Sequence, residues 1–258
     1  DQKADIYVVK TCTVTNIADR KSRQMLHRAK TLNPDAIVVA MGCYVETSKD
    51  EARKDLGIDV LIGNSDKGHA YEKIVEFLNN KENNRLLSVN DISETKEYDE
   101  FKLSFTTEHT RVHVKIQDGC NQFCSYCAIP KIRGPYRSVP MEAVLEEANR
   151  LAERGVTELI VIAQDTTQYG KDLYGESRLP QLLKALCEIP TVHWVRVLYC
   201  YPERITDELL DVMAAEEKIV KYLDIPIQHC DGEILRRMYR PGNETMLRNL
   251  IAKIREKM

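Results

Sequence analysis

Short apolar runs alternate with amphipathic stretches along the front of the chain. Ile6-Tyr7-Val8-Val9 reads as a strand. From Ile17 to Leu32 the apolar positions Met25, Leu26 and Ala29 recur at helical spacing among basic residues, and Pro34 ends the pattern. Ala36-Ile37-Val38-Val39-Ala40-Met41 is apolar without alternation, as expected of a parallel strand covered on both faces. Val60-Leu61-Ile62-Gly63 reads as a third strand and Gly68–Leu78 as a helix. Strands alternating with helices predict a parallel sheet with helices on its faces, over residues 1–79. Residues 80–110 lose this periodicity. Charged stretches such as Lys81–Arg85 and Ser93–Glu97 predict a linker, with one edge strand near Leu86–Val89.

The same alternation resumes over residues 111–258. Strands are predicted at Val112–Ile116, Leu159–Ala163, Trp194–Leu198 and Tyr222–Ile225. Helices are predicted at Met141–Arg154, Leu179–Glu188, Thr206–Ala215, Gly232–Tyr239 and Glu244–Met258. Gly155 stops the first helix and Thr206 caps the third. Four strand-helix units suggest part of a parallel (β/α) barrel, since four strands do not close one. The fold class is therefore α/β. The chain starts at Asp1 and ends inside a helical pattern at Lys257-Met258, so it is expected to be a piece of a longer protein.

Composition narrows this little. The chain is long enough for one large or two modest domains. A net charge of −3 gives no bulk attraction to nucleic acid. No run is apolar enough to span a bilayer, so no membrane partner is expected. Eight cysteines in a long chain without a signal-like apolar start point to a reducing, cytoplasmic setting.

Three of those cysteines change the picture. Gly119-Cys120-Asn121-Gln122-Phe123-Cys124-Ser125-Tyr126-Cys127 follows the strand at Val112–Ile116 with spacing C-x3-C-x2-C. Three thiolates on one tight loop can hold three irons of a cubane cluster and leave the fourth iron open. The competing reading is zinc, which usually takes four ligands. No second C-x2-C pair follows, and the next cysteine is Cys187. Elsewhere, Cys12 and Cys43 each follow a predicted parallel strand, which brings both thiols to the carboxyl edge of one sheet, where chemistry sits in such folds. Taken singly, either is more often a small buried residue than a ligand.

The three-cysteine loop resembles the radical S-adenosylmethionine (SAM) superfamily. With Thr11-Cys12-Thr13-Val14-Thr15-Asn16-Ile17-Ala18-Asp19-Arg20-Lys21-Ser22-Arg23 and Gly42-Cys43, nearly the whole chain is similar to its methylthiotransferases. That resemblance implies an N-terminal iron–sulfur domain (1–79), a linker (80–110) and the first four units of a radical-SAM barrel (111–258), truncated before closure. It implies two [4Fe-4S] clusters. One sits on the catalytic Cys120, Cys124 and Cys127 and binds SAM. The other sits on Cys12, Cys43 and a third cysteine in a motif that lies upstream of this chain. The implied reaction is cleavage of one SAM, hydrogen abstraction from an unactivated C–H bond, insertion of sulfur there, and methyl supply from a second SAM. No acid–base route reaches such a bond, so the cofactor carries the hard chemistry. An electron donor such as flavodoxin or ferredoxin is implied as partner. A barrel fragment with open strand edges is not expected to turn over alone.

The substrate signals divide. Residues 1–128, through Thr11–Asn16 and Lys115-Ile116-Gln117-Asp118-Gly119-Cys120, resemble the branch acting on threonylcarbamoyladenosine beside the tRNA anticodon. From Ile129 on, Pro130–Gly134, Ile162–Thr167, Leu198–Arg204 and Asp224–His229 resemble the branch acting on an aspartate of ribosomal protein S-twelve. The later loops line the acceptor cavity of such barrels, which favours the ribosomal protein. A metal- or RNA-binding module without catalysis is the remote alternative.

Among other residues, Gln164, Asp165, Glu203 and Gln228 end strands at the active edge and are candidates for SAM or substrate contact. Asp165 and Glu203 also suit helix capping and ion pairing respectively. Tyr126 is expected to pack over the cluster or adenine. Arg133 and Arg137 are candidates for an anionic group, and His229 and Arg204 for the SAM pocket. Arg20, Lys21, Arg23, Arg28 and Lys30 read as a solvated helix face, with phosphate contact as the competing reading. Cys187, Cys200 and Cys230 are expected to be packing residues, His113 packed, and Trp194 a core anchor.

Overall fold

The structure is a computed structural model and describes residues 3–13, 15–80, 85–95 and 110–258. The chain divides into two compact units, Asp1–Phe101 with Lys131–Gly134, and Lys102–Pro130 with Pro135–Met258.

In the first unit, β1 (Ile6–Thr11) leads into α1 (Asn16–Leu32). Thr15 caps α1 by accepting a hydrogen bond from Ala18 N, and the helix stops at Asn33, just before Pro34. Then come β2 (Ile37–Gly42), the short α2 (Cys43–Thr47) and α3 (Lys49–Lys54), β3 (Val60–Ile62), a 3₁₀ turn at Asn64–His69, α4 (Ala70–Asn79) and β4 (Leu86–Ser88). All four strands are parallel, in the order β1-β2-β3-β4. The expected edge strand near Leu86 is thus the fourth strand of this sheet and belongs to the first unit rather than to a linker. Its pairing with Val60–Ile62 is a long-range contact that local composition does not encode. Residues 81–84 and 96–109 of the expected linker lie outside the described residues.

The uninterrupted apolar run of β2 has a simple cause. Val38 and Ala40 pack against Leu26 and Ala29 of α1 with Tyr44, Val45, Ile58 and Leu61. Val39 and Met41 face the other way, against Val60, Ile62, Ile74 and Phe77. Alternate side chains of one strand feed two cores, and each fully buried Leu, Ile or Val contributes about 1.5–3 kcal/mol.

The second unit opens with β5 (Arg111–Lys115) and β6 (Gln117–Asp118). After α5 (Ile129–Arg133), whose residues from Lys131 on belong to the first unit, come β7 (Arg137–Ser138), α6 (Met141–Glu153), β8 (Glu158–Ile162), α7 (Lys171–Tyr174), α8 (Leu179–Cys187), β9 (Trp194–Val197), α9 (Asp207–Ala215), β10 (Ile219–Leu223), α10 (Gly232–Arg237) and α11 (Glu244–Lys257). The main sheet is parallel, ordered β10-β9-β8-β5. Its two faces differ. Val112, Leu159 and Val195 stand in register, as do Val114, Val161 and Val197. Except for half-buried Val112, these are buried, as are Val144 and Leu151 of α6, Leu182 and Leu186 of α8, and Leu210 and Met213 of α9. The opposite face carries His113, Ile160 and Arg196 in one row, and Arg111, Glu158 and Trp194 in the next.

That register corrects two expectations. His113 is exposed rather than packed, and Trp194 is 56% exposed rather than a core anchor. Both point away from the apolar layer, onto the face where Arg196 and Glu158 pair across the two rows at 2.8 Å. The last strand also begins three residues earlier than Tyr222, because Ile219 pairs with Val195. No described helix is long and apolar enough to cross a membrane.

Candidate functional site

The three-cysteine loop is tied at its base. β6 and β7 form a two-residue antiparallel ladder, Gln117 with Ser138 and Asp118 with Arg137. Inside the loop, Cys127 N donates to Cys124 O at 2.9 Å, Tyr136 N to Asn121 Oδ1 at 3.1 Å, and Gln122 N to Cys120 Sγ at 3.4 Å. Phe123 holds φ 50, a left-handed conformation that a side chain makes costly. Cys120 and Cys124 are buried and Cys127 half-buried.

Burial pushes the Cys120 thiol up, and Asp165, Cys124 and Cys127 push it the same way against the Gln122 N–H. A thiol held up in this way is relieved by a bound cation. Among the described residues no three His, Cys, Asp or Glu side chains close on a single-ion geometry. Three thiols on one tied loop are the donor set that can hold three irons of an iron–sulfur cluster.

A second chain of contacts braces this loop from the sheet. Arg204 Nη1 pairs with Asp165 Oδ2 at 2.5 Å, while its Nη2 donates to Gln122 Oε1. The other oxygen of Asp165 accepts from Thr167 N at 3.2 Å and from the Thr167 hydroxyl, capping the 3₁₀ turn Thr166–Gln168. Asp165, 2% exposed, thus serves as a cap and an ion-pair partner, with both oxygens engaged inside the protein. Gln164 keeps a buried Oε1 without a partner among the described residues, so it retains a free acceptor. Glu203 faces Arg240 at 3.6 Å. Gln228 is exposed with φ 66, and His229 Nδ1 accepts from Asp231 N at 2.9 Å. Tyr126 is 53% exposed. Arg137 is buried, with Nη1 donating to Pro135 O at 2.7 Å.

Of the remaining thiols, Cys187 is buried and pushed up to about 11 by desolvation. Cys200 is fully buried, pushed up to about 12 by the same cause, with its sulfur 3.5 Å from Thr166 Oγ1. Both are packing residues. Cys230 is exposed, against the expectation of packing, because it lies on the loop that leads into α10.

In the first unit, Thr11 and Gly42 are register partners at the carboxyl ends of β1 and β2. Cys12 and Cys43 are the next residues, so the two stand at one sheet edge. Gly42 has φ 110, and a β-carbon there would come 3.1 Å from Thr11 O, so the turn that presents Cys43 needs glycine. Ser22 Oγ accepts from Cys12 N at 3.1 Å, fixing the backbone of the exposed Cys12. Cys43 is buried, with Asn64 Nδ2 3.9 Å from its sulfur. Asn64 also donates to Ile132 O at 2.7 Å, and Asn64 N to Glu46 Oε1 at 2.7 Å. Burial raises the Glu46 carboxyl above its ordinary value. On α1, Arg20, Lys21, Arg23 and Arg28 are exposed, whereas Lys30 is held by Asp59 at 2.8 Å and Ala36 O at 2.8 Å.

Ser22, Asn64, Gln122 and Arg240 are site residues that the sequence did not mark. Gln122 lies inside the cysteine motif, which was its available signal. Ser22 lies in the stretch after Cys12 that carries the resemblance, whereas Asn64 and Arg240 are isolated polar positions whose role arises only from contacts distant in sequence.

Residues 114–258 match the family described as the Radical SAM superfamily, and residues 1–63 match the uncharacterized protein family UPF0004. Among curated relatives, the chain is 42% identical over 260 residues to the ribosomal protein uS12 methylthiotransferase RimO of Clostridium botulinum, covering 99% of this chain and 57% of that one. It is also 42% identical to the protein of the same name from Lachnoclostridium phytofermentans, covering 100% of this chain and 59% of that one. The chain thus spans a little over half the length of these relatives. Among solved structures, the radical SAM methyltransferase TsrM of Kitasatospora setae superposes with a TM-score of 0.70 at 14% identity, covering 100% of this chain and 56% of that one, a likeness of fold.

Proposed function

From the premise that the chain belongs to the radical SAM superfamily, we propose that it is the cluster-bearing part of a methylthiotransferase acting on ribosomal protein uS12. The observation that carries this reading is the tied loop of Cys120, Cys124 and Cys127 at the carboxyl edge of a parallel sheet. The similarity to the two uS12 enzymes runs over 99–100% of the chain, which favours one acceptor for the front and the rear alike. The tRNA reading loses part of its support because Lys30 is held by Asp59 within the unit.

A [4Fe-4S] cluster with bound SAM would supply the one-electron cleavage that opens an unactivated C–H bond. Cys120, Cys124 and Cys127 would hold that cluster. Gln122 directs its N–H at the Cys120 sulfur, and Arg204 fixes Gln122 while answering the charge of Asp165. The free Oε1 of Gln164 and the exposed Gln228 remain as contacts for SAM or substrate. Cys12 and Cys43, side by side at the first sheet's edge, would contribute two of the three ligands of a second cluster. A low-potential donor of the flavodoxin or ferredoxin class would reduce the protein in the cytoplasm.

The test is anaerobic reconstitution with iron and sulfide counted per chain. The parent should hold about four irons on the second unit, lost in Cys124→Ala. A further loss on changing Cys12 would add the second cluster. Zinc in place of iron, or no metal in a folded chain, would overturn the reading.

A further inference from the structure

The turn after α10 grips the cysteine loop. Met238 O accepts from Ser125 N at 3.1 Å, and Tyr239 O accepts from Gln122 Nε2 at 3.1 Å. Tyr239 holds φ 56, so a strained residue aims that carbonyl. The next residue, Arg240, is turned inward and 4% exposed. Its guanidinium lies 4.0 Å from the Tyr201 ring centroid, donates to Pro226 O at 3.3 Å and faces Glu203 Oε2 at 3.6 Å.

Glu203 is an incomplete counter-charge. Neither of its carboxylate oxygens, nor Nε of Arg240, has a hydrogen-bond partner among the described residues. A buried guanidinium normally requires full pairing. Here a fixed positive charge is held immediately after the turn that grips the cysteine loop, in surroundings that leave its field under-compensated.

We propose that Arg240 is a positioning residue of the cysteine loop and that its charge stabilises the reduced state of the iron–sulfur group held there. The proposal rests on the cluster reading above. Nearby charge is one of the levers that set cluster potentials. Adding an electron makes the cluster more negative, so a buried cation favours reduction, and Glu203 partly offsets it. The Tyr201 ring face and the Pro226 carbonyl hold the guanidinium in place.

The experiment is a redox titration of the reconstituted chain, followed by electron paramagnetic resonance without SAM or substrate, with iron counted in parallel. In Arg240→Gln the one-electron reduction equilibrium should fall about tenfold, equivalent to 59 mV. Arg240→Lys should stay near the parent. Glu203→Gln should shift the opposite way, because the cation loses its counter-charge. An Arg240→Gln variant that keeps its iron and titrates within twofold of the parent would overturn the proposal. So would Glu203→Gln shifting in the same direction as Arg240→Gln, since a loosened loop moves both alike. If Arg240→Gln loses iron, Glu203→Gln decides by its sign. A parent chain that binds no iron–sulfur group overturns the functional reading itself, a result distinct from an unmoved potential.

Discussion

Removing the Arg204 guanidinium while keeping its stem, as in Arg204→Met, isolates the brace between sheet and cysteine loop. Asp165 is nearly fully buried, and Arg204 is its ion-pair partner at 2.5 Å. Taking away one member of a buried pair leaves the other charge uncompensated, which costs about 3–5 kcal/mol. Arg204 is partly solvated, with 27% of its side chain exposed, so the lower end, about 3 kcal/mol, applies. For a unit of this size that corresponds to a fall of about 6–12 °C in Tm. The assay is thermal unfolding of the metal-free chain by circular dichroism, beside the double variant Asp165→Asn with Arg204→Met. The double variant should recover much of the loss, because the orphaned carboxylate is gone. It should still show faster exchange of the Gln122 amide, since the Arg204 contact to Gln122 is missing. A single variant that loses less than about 1 kcal/mol, well under the cost expected for an orphaned buried charge, would refute the reasoning. So would a double variant as unstable as the single one.

Three further outcomes follow from burial and charge. Leu26→Ala should cost about 2–5 kcal/mol in denaturant unfolding, because Leu26 is fully buried under the first sheet, whereas exposed Met25→Ala should stay within about 0.5 kcal/mol. Glu46→Gln should be more stable than the parent at pH 7. The raised carboxyl makes the charged form the costly one in the fold, so the parent loses stability as pH climbs above the ordinary value of 4.5, and the gap between the two should close below it; a gap that widens on acidification would sink this account. In the metal-free chain, alkylation at pH 8 should mark the exposed Cys12 and Cys230 first and leave Cys187 and Cys200 unmodified until unfolding, as peptide mapping by mass spectrometry will report.

Much of the architecture was legible locally. Thr15 and Thr206 cap their helices through their own hydroxyls, a contact spanning three residues. The β2 run had no polar alternation because both of its faces are covered, and the parallel order followed from strand-helix alternation. His113 and Trp194 were misplaced for a related reason. Each sits in a strand apolar enough to look buried, yet which face turns to the helices depends on register with neighbours far along the chain. Leu86–Ser88 was assigned to a linker because three residues carry little periodicity, and only pairing with β3 makes them part of the sheet.

At the candidate site, the division between sequence and structure follows the range of the interactions. The cysteine spacing is a local signal, because three thiols within eight residues must share one loop, so the sequence alone determined which three thiols come together and at which edge of the sheet. Cys12 and Cys43 needed one further step, the parallel order of two strands, and that too is written in the hydrophobic pattern. What surrounds the thiols was decided by the tertiary structure. Gln122, Asp165, Arg240 and the turn bearing Tyr201, Glu203 and Arg204 come from four places in the second unit, and their side chains meet only in the folded chain. A lone arginine in a sequence carries no sign of whether it will be solvated or sealed inside the fold. That depends on the low-dielectric surroundings that packing creates, and the same packing determines how strongly the buried charge acts on its neighbours.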